Sequence, residues 1–172
     1  MKISWPKIAL LVLCCSALAF ELWHFRYSQK SASAPNLHRN NAHFALLPVR
    51  ETATFASSLG NPKTRIGSWE PTLGDINDLE SNLQQVFTLS EEFHDPNRRI
   101  DDPRKYFRQY LAVEIDGKNV VFVNALCRVD PADSIDWRKH LIETVDGGKC
   151  YWKAFYNPST HTFSNLIVNG LA

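Results

Sequence analysis

Two ten-residue runs, YFRQYLAVEI and KNVVFVNALC, meet at Asp116-Gly117. A two-residue β-hairpin turn of type I′ needs positive φ at both central positions, and Asp-Gly meets that need at low steric cost. A turn of fixed length also fixes the register of its arms. Ile115 then faces Lys118, Val113 faces Val120, Leu111 faces Phe122, Gln109 faces Asn124 and Phe107 faces Leu126. These pairs share one side of the ribbon, which is apolar except at Gln109–Asn124. The other side carries Tyr106, Arg108, Tyr110, Ala112 and Glu114.

Fewer signals constrain the remaining elements. Between Pro71 and Leu89, apolar Ile76, Leu79, Leu83, Val86 and Phe87 fall on one helical face. Thr72 with Asp75 three residues on forms an approximate capping box at its start. Lys149–Tyr156 and Thr162–Asn169 read as a second hairpin around Asn157-Pro158-Ser159. Residues 128–147 form a connection long enough to suggest a functional loop or a short helical excursion. The expected fold class is α+β: one amphipathic helix packed on a curled four-stranded antiparallel sheet. This domain spans 66–172. Residues 28–65, polar and rich in Ser, Ala and Asn at their start, read as a flexible stalk.

The first 27 residues read as an address. Lys2 and Lys7 precede the apolar run Ile8–Phe20, the layout of an export signal. Ala17-Leu18-Ala19 suits signal cleavage, while Trp23, Phe25 and Tyr27 suit the aromatic belt of a retained anchor helix. A retained leader would make the membrane a partner through residues 8–25. Either outcome puts the domain in the cell envelope, as a periplasmic domain released or anchored in the inner membrane. From Arg26 to Arg65 six basic residues stand against one acid, and from Ile66 onward eleven stand against sixteen. The near-neutral total and the lack of a basic stripe exclude a typical nucleic-acid binder.

Outside the leader the cysteines are Cys127 and Cys150. Cys127 ends the second arm of the first hairpin, and Cys150 opens the next strand. Adjacent antiparallel strands would set them side by side, and an oxidising compartment would close the disulfide. The stretch DGGKCYW is therefore a tight turn into a strand. A Walker loop would need separated glycines, Lys-Ser/Thr and a following helix. No further Cys or His stands at zinc-ligand spacing, and no metal or cofactor is expected. Asp95, Asp101 and Asp102 do not follow the calcium-loop pattern. No Ser-His-Asp arrangement can be assembled, so no catalytic residue is named.

Two groups remain as candidates for binding. Gln109 and Asn124, on an apolar face, would either line a pocket between helix and sheet or form a buried amide pair that pins register. Tyr106, Arg108 and Tyr110 would form a partner surface on the opposite face.

Tyr106, Arg108-Gln109-Tyr110, Val123-Asn124, Trp137, Asp146-Gly147-Gly148 and Asn169-Gly170-x-Ala172 resemble, in that order, a pattern shared by small exported gammaproteobacterial proteins. The resemblance covers about the last 70 residues and implies export and a common fold rather than a particular activity. The helix-then-sheet order is also similar to cystatin-like and nuclear-transport-factor-2-like folds. The Gln-x-Val-x-Gly loop of an inhibitory cystatin is absent. The expectation is a non-enzymatic envelope protein that acts by binding. The alternative is a small-ligand binder or enzyme with a pocket between helix and sheet.

Overall fold

The computed structural model describes residues 43–59, 63–130 and 134–171. The leader, and the stalk as far as residue 42, lie outside them. In chain order the elements are β1 (Phe44–Leu46), α1 (Glu51–Ser58), β2 (Ile66–Ser68), α2 (Leu73–Asn82), α3 (Gln84–Ser90), β3 (Phe107–Ile115), β4 (Lys118–Leu126), β5 (Tyr151–Asn157) and β6 (Thr162–Val168). The fold is α+β around an open sheet in the order β1-β3-β4-β5-β6, with β2 also on β3.

The hairpin forms in the register its turn dictates, from Ile115–Lys118 to Phe107–Leu126. Asp116 and Gly117 take φ of 49° and 80°. β5 joins β4 and β6 joins β5, both antiparallel. Six strands replace the expected four. One addition, Phe44–Leu46, comes from the segment read as stalk and pairs parallel to Arg108–Tyr110; the other, Ile66–Ser68, opens the expected domain and pairs antiparallel to Val113–Ile115. Three-residue strands carry too little periodicity to stand out in sequence.

The expected single helix is two. Thr72 caps α2 with the reciprocal capping box: the Asp75 N–H donates to Thr72 Oγ1 at 3.2 Å and the Thr72 N–H donates to Asp75 Oδ2 at 2.7 Å. At Leu83 the backbone tightens. Its N–H donates to the Glu80 carbonyl three residues back, while the Asn82 amide bonds the Asp78 carbonyl. Side chains that bond nearby backbone in this way loosen a helix.

Both sheet faces are covered. Ile76, Leu79, Leu83 and Val86 pack with Tyr110, Val121, Val123, Trp152 and Tyr156 in the larger core. On the other face Phe55 from α1 packs with Leu47, Leu111, Val113 and Phe122. The 128–147 connection covers the rest of that face through Leu141 and hydrogen bonds described below. The main helices therefore lie on the Arg108/Tyr110 face, opposite to the apolar Gln109 face where amphipathic reasoning would put them. No helix among the described residues is long and apolar enough to cross a membrane.

Candidate functional site

Successive residues of β3 point to opposite faces, and each face spends its polar groups internally. Arg108 is 3% exposed and Tyr110 fully buried. The Arg108 Nε–H donates to Tyr110 Oη at 2.9 Å, and Nη2 donates to both Glu80 carboxylate oxygens at 3.2 and 3.1 Å. Nη1 donates to the carbonyls of Arg104 and Tyr106 at 3.0 and 2.6 Å. Tyr110 in turn donates to Glu80 Oε1 at 2.5 Å. Burial pulls the Arg108 pKa down, but Tyr110 and Glu80 more than offset it and the net shift is up. The Tyr110 hydroxyl is pushed well up, chiefly by burial. Two of the three residues expected to make a partner surface are thus interior. Glu80, from the polar side of α2, turned that strip into a core network. Tyr106 is half-buried, and its hydroxyl donates to the Lys149 carbonyl at 2.8 Å.

Gln109 and Asn124 face each other as expected, at 0% and 2% exposure. Asn124 Nδ2 donates to Gln109 Oε1 and to the Ile142 carbonyl, both at 2.7 Å. Gln109 Nε2 donates to the carbonyls of Trp137 and His140 at 2.5 and 2.7 Å, and its Oε1 accepts the Ile142 N–H at 3.0 Å. Glu51 of α1 accepts the Leu141 N–H at 2.9 Å. The four amide N–H groups of the pair are therefore all spent inside the fold. The pair fastens the connection to the sheet, because an irregular segment leaves backbone donors and acceptors that only amides can satisfy together.

Cys127 and Cys150 stand at disulfide-bonding distance, with Cα atoms 4.8 Å apart. The Cys127 N–H also donates to the Cys150 carbonyl at 2.8 Å. The two glycines before Cys150 are required. Gly147 has φ of 96° and Gly148 has φ of 55°. A Cβ on Gly147 would stand 2.7 Å from the Tyr151 ring, and one on Gly148 would stand 2.6 Å from Leu171. An open cleft of about 420 Å³ borders the disulfide, lined in part by Tyr106 and Lys149. Lys149 is already paired with Asp101 at 2.9 Å.

The arrangement best suited to binding was not legible in the sequence. β1 and β2 run toward each other along the same edge of β3, and both leave it near Ala112. Pro48 follows one and Pro71 follows the other, and neither can donate to a ladder. The two-residue turn makes Ile115–Lys118 a hydrogen-bonded pair, so alternate residues of β3 bond to β4. Even-numbered residues turn their N–H and C=O toward β1 and β2. The Arg108 N–H donates to the His43 carbonyl at 2.8 Å, the Tyr110 carbonyl accepts from Leu47 at 2.8 Å, and the Asp116 N–H donates to the Arg65 carbonyl at 3.1 Å. The Ala112 N–H points to the same edge, between these bonds, on a residue that is only 6% exposed. It borders a cleft of about 460 Å³ lined by Leu46–Val49, Ser68–Pro71, Leu111 and Ala112. Glu70 is the one charged residue in that lining.

Midway along α2, Asp78 accepts a short hydrogen bond from the Tyr156 hydroxyl and contacts His161 Nδ1 at 2.7 Å. These bonds hold the Asp78 carboxyl below the usual carboxylate range, Tyr156 contributing most and His161 next. Burial and Asp78 push the Tyr156 phenol up. Gln85 accepts from the Phe163 N–H and donates to the His161 carbonyl, so the cluster latches the β5–β6 turn to the helices. Among the described residues no group of three or more His, Cys, Asp or Glu side chains could hold a metal. No protein-family model, curated protein or solved structure matches the chain.

Proposed function

We propose that the chain is a non-enzymatic binding domain of the cell envelope, and that its recognition site is the cleft where β1 and β2 part at Ala112. The observation that carries this reading is a cleft of about 460 Å³ at the point where both edge strands leave β3, walled in part by buried Leu47, Leu111 and Ala112. Its volume falls within the range of small-ligand sites. Paired Cys127 and Cys150 favour an oxidising compartment, in keeping with the leader-like N-terminus. The polar side chains that an enzyme reading would recruit, Arg108, Gln109 and Asn124, are committed to the core.

Two measurements test the proposal. In protein taken from bacterial envelopes, Cys127 and Cys150 resist alkylation until reduced; free alkylation would remove the compartment argument. In amide NMR spectra of the full-length protein, bound small molecules perturb residues 46–49, 68–70 and 112 first. Binding confined to another surface would overturn the choice of site.

A further inference from the structure

We infer that Cys127 and Cys150 form an exchange site in the folded protein: a partner dithiol, of the thiol–disulfide oxidoreductase class, reduces and restores their bond by way of Cys127 Sγ without unfolding the domain. The first observation is access. Cys127 is exposed and Cys150 half-buried, and both line the open cleft of about 420 Å³ where β4 ends and β5 begins. A disulfide placed in this way can be reached in the native state, whereas an interior one waits for the fold to open.

The second is charge. Exchange brings one thiolate in and sends another out. Among the described residues the cleft lining carries Lys149 and no carboxylate. Lys149 also pairs with Asp101 at 2.9 Å, a carboxylate that is itself exposed and screened by solvent. A cation on the wall favours both anions, and it stands next in sequence to the cysteine that leaves.

The third is that the fold holds the two cysteines together by other means. The Cys127 N–H donates to the Cys150 carbonyl at 2.8 Å, and Leu126 pairs with Tyr151 in the ladder. The Gly148 N–H donates to the Gly170 carbonyl at 2.8 Å, and the Tyr106 hydroxyl donates to the Lys149 carbonyl. None of these bonds passes through sulfur, so the reduced cysteines stay side by side, ready to close again. In the forward direction the partner thiolate attacks Cys127 Sγ. A mixed disulfide forms, the Cys127–Cys150 bond breaks, and the electron pair leaves on Cys150, which takes a proton from water. The partner's second thiol loses its proton to water and attacks its own sulfur in the mixed disulfide. Cys127 then leaves as a thiolate and is protonated in turn. Two electrons have passed to the cysteines and the partner dithiol has become a disulfide. The reverse sequence restores the bond.

The test uses the oxidised full-length protein, with reduced glutathione to trap the first step and dithiothreitol to complete it. After brief exposure to glutathione, peptide mapping by mass spectrometry should find the adduct on Cys127 and leave Cys150 open to alkylation. An adduct that forms first on Cys150 would overturn the assignment of the attacked sulfur. Dithiothreitol should reduce the bond in native buffer at well above about a thousandth of its rate in concentrated urea, the ceiling for a route through the globally unfolded state. Thr72→Ala gives an independent measure, because it weakens the fold at the α2 cap and leaves the cysteines untouched. Its rate of reduction should match that of the wild type. A rise of about fivefold, the whole effect of the lost cap on the unfolded fraction, would mean that exchange needs unfolding and would overturn the inference. Once reduced, the protein should show amide shifts at residues 126–128 and 147–151 and keep its other resonances in place. Loss of dispersion throughout would show that the fold cannot hold the cysteines without the bond, and would overturn it equally.

Discussion

The two faces of β3 are closed by different means. On one, two helices that satisfy their own backbone need little from the sheet, and the polar link is a charged side-chain network, Glu80–Arg108–Tyr110. On the other, the irregular 128–147 connection brings unsatisfied carbonyls and N–H groups, and the link is the neutral amide pair Gln109–Asn124. The secondary structure of a cover thus decides the chemistry beneath it: charge can lock a self-satisfied helix, whereas loose backbone needs groups that donate and accept at once.

The largest break in that comparison should come from Arg108→Met. It strands the Glu80 carboxylate and the carbonyls of residues 104 and 106, and should cost about 3–5 kcal/mol in chemical denaturation. Adding Glu80→Met should recover a large part of the loss, as removing both members of a buried pair does. No recovery would mean that the carbonyls, not the charge, dominate. Opening the disulfide with Cys127→Ala and Cys150→Ala should cost roughly 3 kcal/mol, the chain-entropy value for this loop.

Gln109→Met should cost about 2 kcal/mol by stranding the Ile142 N–H and the carbonyls it holds. The effect should be local. Amide exchange should quicken over residues 137–142 while α2 and α3 stay protected, and a uniform rise in exchange would contradict the division between the faces. Thr72→Ala removes the α2 cap and should cost about 1 kcal/mol, felt on the helix face alone.

The smallest effect is acid sensitivity, with one carboxylate on each side. Asp78 is held low by Tyr156 and then His161. Asp136, in the connection, is held low by Lys139 and the Arg138 N–H. A carboxyl depressed in the folded state adds stability above the unfolded pKa, about 3.9, and loses it as pH falls through the lower folded value. Stability should therefore be flat in this respect above about pH 4 and decline below it. His161→Ala should raise the Asp78 pKa in a carboxyl NMR titration and leave Asp136 unmoved.

Much of the frame was legible in local chemistry. Asp116-Gly117 dictated the turn, the turn dictated five facing pairs, and the Thr72–Asp75 cap marked where α2 begins. The pairing of Cys127 with Cys150 followed once β4 and β5 were read as neighbours. The burial of Arg108 and Tyr110 was not legible, because it depends on Glu80, some thirty residues away on a helix face that reads as polar. The role of Gln109 was open between pocket and pin until the carbonyls of the connection were seen to fill its amide.

The sequence by itself determined strand register, turn conformation and helix start, because each depends on residues a few positions apart and on steric limits of the backbone. Tertiary structure decided which face of β3 each cover takes, and left the gap at Ala112. Neither has a local signature. A polar strip can be buried once a distant partner satisfies it, and a break in an edge exists only where two strands from separate parts of the chain stop short of each other on a third.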